Sequence, residues 1–370
     1  LVIDYFLLII VTPEAIKSCG RKNRMGKKIW HILIAAAAAS LVAALCFLAG
    51  RAKQVEGDRG YRLVMGTFAR IVAIAADSTI VDKAIEAALS EIQSVDTLMS
   101  DYKSDSEISR VNRDGFIRAV AVSEPTYEVL KRSVEFSKLT GGAFDITVGP
   151  LVDLWHSAKK KNTVPSKEEL AAAKAKVGFE KLILDDQQQT ARFAVEGMRL
   201  DLGGIAKGYA VDKAIEAMQK AGVVGGMVDI GGDLRCFGKP PKGKNKWLIG
   251  LQNPKVNKNT DESDLLLILK LDSASVVTSG DYQQFVLIEG KRYSHIINRD
   301  TGVSAEGLSS VTIITDNATG ADALATAVSV MGAEKGLALI EKMPGVEAIL
   351  ITSQPNYELI KTRGAEKYIK

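Results

Sequence analysis

Apolar positions repeat with period two from Leu63 to Ala75, where Val64, Phe68 and Val72 fall on one face of a strand. The period then changes. Ile80, Ala84, Ala88, Ile92, Val95 and Met99 are spaced for one face of a helix. A second helix is predicted over Thr126 to Leu139 and stops at Gly141-Gly142. Ser166-x-x-Glu169 is a capping box that opens a third. Met198 to Leu202 reads as a strand, and Ile205 to Gln219 as a helix closed by Gly222. Strand patterns follow at Leu265–Leu271, Phe285–Glu289, Arg292–Ile297 and Leu308–Thr315, with Glu289-Gly290-Lys291 as a hairpin turn. Helices over Thr319–Met331 and Glu334–Lys342 and a strand over Ala348–Thr352 complete the pattern. Strands that cluster late, with helices between groups, predict an α+β fold rather than a doubly wound sheet.

The first sixty residues carry a different signal. Residues 29–50 form an uncharged run of 22, long enough to cross a bilayer as a helix. Lys17, Arg21, Lys22, Arg24, Lys27 and Lys28 precede it, and basic flanks stay cytoplasmic. The predicted organisation is a basic cytoplasmic segment (1–28), a signal or anchor helix (29–50), a polar linker (51–60) and a main body (61–370). Met25-Gly26-Lys27-Lys28 resembles a natural start, so residues 1–24 read as an over-extended one. No A-x-A cleavage site is evident, and Leu45 before Cys46 argues against lipid attachment there. The body is expected on the far side of the cytoplasmic membrane.

Composition removes several classes. Hydrophobic residues at 46% and charged residues at 25% exclude a disordered or many-span chain. Three cysteines, only Cys236 of them in the body, exclude a disulfide framework, and three scattered histidines give no zinc cluster. The net charge of +4 is concentrated in residues 1–60, where basic residues outnumber acidic nine to four. The body is near neutral, so a nucleic-acid surface is not expected.

Four segments could carry chemistry. Asp201-Leu202-Gly203-Gly204-Ile205-Ala206-Lys207-Gly208-Tyr209 spans a strand-to-helix junction, where free amides and Lys207 suit an anion. It is neither a Walker loop nor G-x-G-x-x-G, and a plain tight turn competes with function on even terms. Asp322 and Thr326 stand four apart on a helix among Ala321, Ala323, Ala325 and Ala327. A carboxylate in such surroundings needs a partner, and Mg²⁺ would supply one. On the residues alone, a plain helix-dipole role for Asp322 is slightly ahead. His295 alternates with Tyr293 and Ile297 on the expected strand and is the best-placed histidine for proton transfer, while His156 is expected in a loop. A structural histidine is equally common. Gly142-Ala143-Phe144-Asp145, Asp229-Ile230-Gly231-Gly232-Asp233 and Ser279-Gly280-Asp281-Tyr282 are turns that suggest a loop-built site at a sheet edge. Together they indicate a metal-assisted phosphate ligand without naming it.

The ordered set Met65-Gly66-Thr67, Gly141 through Asp145, Asp201 through Tyr209, Gly231-Gly232-Asp233, Ser279 through Tyr282, His295-Ile296-Ile297 and Asp322 through Thr326 resembles the ApbE family of FAD:protein FMN transferases. The resemblance covers nearly the whole body. It implies a T-fold-like α+β domain with mixed or antiparallel sheets and packed helices. It implies FAD as substrate, Mg²⁺ on its pyrophosphate, transfer of FMN to a Thr or Ser hydroxyl of another protein, and release of AMP. By motif match, Met65, Tyr102, Ala143, Phe144, Asp145, Asp201, Lys207, His295 and Ile296 fall at FAD-contacting positions. Gly204 (through its carbonyl), Asp322 and Thr326 fall at metal positions. His295 is the expected base or orienter, with Asp281 second. Implied acceptors are exported flavoproteins, including subunits of Na⁺-translocating NADH:quinone reductase and Rnf complexes.

The chain departs from the family's pattern in two places near this site. Asn298-Arg299-Asp300-Thr301-Gly302 replaces the usual Asp-Pro-Arg/Lys-Thr-Gly, and loss of the proline is expected to loosen the turn after His295. Gly203-Gly204 also replaces a frequent Ser/Gly-Ala pair, which a carbonyl ligand tolerates. Two alternatives share the site: an FAD pyrophosphatase that uses water as acceptor, and an exported protein that binds flavin without turnover.

Overall fold

Met65 and Gly66 both adopt positive φ (47° and 72°) and fold residues 55–75 into a hairpin of β1 (Val55–Val64) and β2 (Thr67–Ala75). Such a two-residue turn matches the twist of antiparallel strands. The predicted single strand Leu63–Ala75 is therefore two. Residues 55–60, expected as linker, belong to edge strand β1, whose polar side chains are mostly exposed. An edge strand with one open face lacks the apolar alternation that marks a buried one.

The computed structural model describes residues 34–36, 40, 54–254, 265–280, 285–353 and 355–370. Almost all of the expected signal or anchor run 29–50 lies outside the described residues, as do Asp281 and Tyr282.

The body is built on an eight-stranded sheet in the order β1-β2-β6-β7-β10-β13-β14-β15. Its further strands are β6 (Gly225–Ile230), β7 (Asp233–Gly238), β10 (Ala274–Gly280), β13 (Leu308–Thr315), β14 (Glu347–Thr352) and β15 (Leu359–Lys361). Every neighbouring pair is antiparallel. β13 is buried at all eight positions, because both faces of the sheet are covered there.

One face packs on helices α1 (Ser78–Met99), α6 (Ala206–Lys220) and α7 (Ala318–Ile340). The predicted stripe Ala84, Ala88, Ile92, Val95 and Met99 is the buried side of α1, and Asp77 caps its start through the amides of Thr79 and Ile80. The other face packs on a hairpin of β8 (Trp247–Gln252) and β9 (Leu265–Leu271), with Val72, Ile74, Cys236, Val276 and Ile349 meeting Trp247 and Leu269. Each such side chain contributes about 1.5–3 kcal/mol of burial.

Smaller elements flank this frame. They are α2 (Glu107–Asp114), α3 (Glu124–Leu139), α4 (Gly149–Lys161), α5 (Lys167–Lys174), a small sheet of β3 (Val120–Ala121), β5 (Thr190–Phe193) and β4 (Leu182–Asp185), and a hairpin of β11 (Phe285–Ile288) and β12 (Lys291–Ser294). The Ser166–Glu169 capping box forms as expected. The two helices expected on either side of residue 332 are present: within α7, Gly332 leaves helical geometry (φ 79°) and breaks the run into two helices across a kink.

Three expectations are corrected. Met198–Leu202 is not a strand; only Arg199 makes an isolated bridge, to Val148. β12 ends at Ser294, so His295 lies in a bend and Ile297 bridges Ser304 instead. His156 lies on α4, not in a loop. Among the described residues, the helix long and apolar enough to cross a membrane is α7, and it packs inside the body between the sheet and α6.

Candidate functional site

The site lies where α6 and α7 begin. Neither helix is capped only by its own sequence. Asp322 of α7 accepts a hydrogen bond from the Gly208 amide in the first turn of α6 (3.1 Å). Asp212 of α6 accepts from the amides of Ala318 and Thr319 (3.0 and 2.9 Å) and from the Thr319 hydroxyl (2.6 Å) at the start of α7. Arg235 from β7 balances Asp212 at 2.7 Å. The helices can approach this closely because residue 208 is glycine: a Cβ there would fall 2.2 Å from the Ala318 carbonyl oxygen.

Lys207 and Asp233 form an ion pair beside Asp322. The Asp233 side chain is 2% exposed. Burial works against the Lys207 charge, but Asp233 and Asp322 outweigh it and hold the ammonium's pKa above its usual value. Burial pushes the Asp233 carboxyl up against the pull of Lys207. Burial, and then the charge of Asp233, push Asp322 up to about 7. Asp229, across the Gly231-Gly232 turn, is also raised by burial and by Asp233, although the Gly232 amide opposes this. Three carboxylates around one ammonium leave an excess of negative charge in a poorly solvated place, which favours a cation.

The remaining oxygen donors are near. A Cβ on Gly204 would lie 2.8 Å from Thr326 Oγ1 and 3.4 Å from the Phe144 ring, so Gly204, Thr326 and Phe144 share one corner. Asp322 and Thr326 face the same side of α7, one turn apart. A carboxylate, a hydroxyl and a main-chain carbonyl are the donor types of a hard divalent ion that keeps several positions for substrate oxygens. Among the described residues, no three His, Cys, Asp or Glu side chains are arranged to hold a metal ion by themselves.

The other sequence-predicted residues form the surroundings. The Asp201 amide donates to the Ile146 carbonyl (2.8 Å) and its carboxylate accepts from Gly203 (2.8 Å), which ties the 143–147 loop to the start of α6. Phe144 is buried and meets Phe136 edge-on at 6.3 Å, while Ala143 packs against the main core. Met65, at the β1–β2 turn, also packs on the core, and Thr67 abuts Gly231. Tyr102 is 86% exposed in the turn after α1, next to Asp101, which pairs with Arg199 at 2.7 Å. Ile296 is buried, and His295 before it is exposed. The Asp145 carboxylate is fully engaged by protein donors: Thr147, Phe179 and Arg299.

Sequence reasoning missed Asp212, Arg235 and Arg299 and assigned no partner to Lys207. Asp212 had one signal, a carboxylate in the buried stretch Tyr209–Ile215 of α6. Arg299 had another, a charged residue where the resembling motif has proline.

A family model described as the ApbE family matches residues 65–350. The chain belongs to the ApbE family. Within it, the chain is 36% identical over 307 residues to an FAD:protein FMN transferase of Vibrio cholerae, covering 81% of this chain and 89% of that protein. To the FAD:protein FMN transferase of Treponema pallidum it is 33% identical over 328 residues, covering 84% and 89%. Among solved structures, the ApbE protein of Thermotoga maritima superposes with a TM-score of 0.75 at 32% identity, covering 86% of this chain and all of that one. The flavin transferase ApbE of Vibrio cholerae gives 0.73 at 32%, covering 85% and 100%. The α+β body is thus an ApbE fold over most of its length.

Proposed function

We propose that this ApbE-family chain moves FMN from FAD to a Thr or Ser hydroxyl of an acceptor flavoprotein, assisted by a divalent cation such as Mg²⁺, with release of AMP. The observation that carries the reading is the meeting of Asp322, Thr326, Gly204 and Lys207 where α6 and α7 begin. Asp322, Thr326 and the Gly204 carbonyl would hold the cation. When bound, it would supply charge neutralisation on the FAD pyrophosphate and on the leaving AMP phosphate.

The chain's own residues do the rest. Lys207 and the amides opening α6 lie at a helix start, where anions are favoured. Met65, Ala143, Phe144, Asp201 and Ile296 line the dinucleotide, with Tyr102 at its open side. The acceptor oxygen forms a bond to the FMN phosphorus while the bond from that phosphorus to the AMP oxygen breaks. The hydroxyl proton passes to His295, or to Asp281 as the second candidate. The 29–50 run and its basic flank support a body held on the periplasmic side of the cytoplasmic membrane, where redox-pump subunits of the kinds named above are available acceptors.

The test is incubation of the protein with FAD, Mg²⁺ and a panel of acceptor proteins, read by in-gel flavin fluorescence and by mass. Covalent flavin on Thr or Ser with AMP released in step supports the reading. AMP release that is equally fast without acceptor would assign hydrolysis instead, and tight FAD binding with no turnover would assign storage.

A further inference from the structure

The proline missing after His295 does not leave a loose turn, because Arg299 fastens it. The turn is closed by Asn298 N–H to the Val303 carbonyl (2.9 Å), Gly302 N–H to the Asn298 carbonyl (2.8 Å) and the Ile297–Ser304 bridge. From it the Arg299 guanidinium reaches Asp145 (Nη1 to Oδ2, 2.6 Å), whose side chain is completely buried. It also meets Glu180 at 3.3 Å and lies 5.1 Å from the centre of the Phe179 ring. On its other side it lies against the backbone of Gly142. A Cβ there would fall 2.2 Å from Arg299 Cζ, and φ at Gly142 is +85°.

The pair links two distant pieces of chain. One is Ala143–Phe144, immediately before Asp145. The other is His295–Ile296, three to four residues before Arg299. Asp145 has no acceptor capacity left for a ligand: Oδ1 takes the Thr147 amide and hydroxyl (2.8 and 2.7 Å), and Oδ2 takes the Phe179 amide (2.9 Å) and Arg299. Arg299 is only 17% exposed, and a planar guanidinium that bridges Asp145 and Glu180 fixes orientation as well as distance.

We propose that Arg299 is a positioning residue for FAD, holding the His295–Ile296 segment against the Ala143–Phe144 segment through Asp145, whose carboxylate acts through this pair rather than on the ligand. This rests on the flavin reading of the same segments.

The test uses the full chain with Arg299→Ala, Arg299→Lys, Asp145→Asn and the Arg299→Ala/Asp145→Asn double variant. FAD affinity is measured by flavin fluorescence without acceptor, transfer by kcat and KM for FAD, and folding by thermal melting. Arg299→Ala is expected to raise KM and Kd for FAD about tenfold, with kcat changed less. Arg299→Lys, which keeps the charge but loses the fork, should melt close to the unsubstituted protein yet still raise KM severalfold. The double variant should be no worse than Arg299→Ala, since both remove one pair. Arg299→Lys folded with FAD KM and Kd unchanged would overturn the proposal, and so would full additivity of the two single changes. If the unsubstituted chain binds no FAD, the flavin reading falls and this inference with it. If it binds FAD and the variants match it, the inference alone falls.

Discussion

Asp212 and Asp322 cap each other's helices. Asp212, on α6, takes the first amides of α7, and Asp322, on α7, takes the Gly208 amide of α6. The crossing is therefore locked by side chains that a sequence window around either helix does not connect. One of the two, Asp322, is also the candidate cation ligand, so folding and function meet at this carboxylate.

Gly208→Ala should destabilise the protein, although helix propensity alone favours Ala by about 1 kcal/mol. The added methyl would fall 2.2 Å from the Ala318 carbonyl oxygen and 2.9 Å from Asp322 Cβ. Forcing the two helix starts apart should cost about 1–3 kcal/mol, measured by urea unfolding.

Lys207→Met should cost more, about 3–5 kcal/mol, because it leaves Asp233 buried without its counter-charge. Lys207→Met with Asp233→Leu should regain most of that stability while transfer stays impaired. Chemical unfolding of the single and double variants checks the first part, and the transfer assay checks the second.

The pH dependence follows from Asp322. Burial and Asp233 raise its carboxyl from 3.8 to about 7, so between those values the folded protein holds a proton that the unfolded chain has released. Stability contributed by this group falls as pH rises through that window and is flat above it. A cation held by Asp322 would take the place of the proton. The melting-temperature gain from Mg²⁺ over EDTA should therefore grow from about pH 5 to pH 7 and then level off. In Asp322→Asn it should be small at every pH.

Cys236 is fully buried against the Ala274 carbonyl, and burial pushes its thiol up to about 11. At pH 8 in native buffer its peptide should remain unalkylated by iodoacetamide, and it should react on unfolding in urea, as read by mass.

The sequence revealed those features that depend on local spacing. Asp322 and Thr326 share a face at i and i+4, the α1 stripe follows helical period, and Gly231-Gly232 is a turn, although the strands it joins, β6 and β7, were not read from the sequence. What it hid depends on contacts over long separations. Arg299 and Asp145 are 154 residues apart, and Asp212 and Thr319 are 107 apart. β1 was hidden because an exposed edge strand has no buried face to impose alternation. The β1–β2 turn was hidden because Met65, rather than a residue that favours the left-handed region, takes φ 47°. Met198–Leu202 had a strand's apolar pattern, but of its residues only Arg199 found a bridging partner.

The most direct test of the cation-assisted transfer is the rate of acceptor flavinylation against Mg²⁺ concentration for the unsubstituted chain and for Asp322→Asn, with thermal melting to show that both are folded. The unsubstituted rate should rise to saturation with Mg²⁺, and Asp322→Asn should lose about tenfold to a thousandfold at limiting Mg²⁺. An Asp322→Asn protein that transfers FMN at the unsubstituted rate in limiting Mg²⁺ would contradict the account.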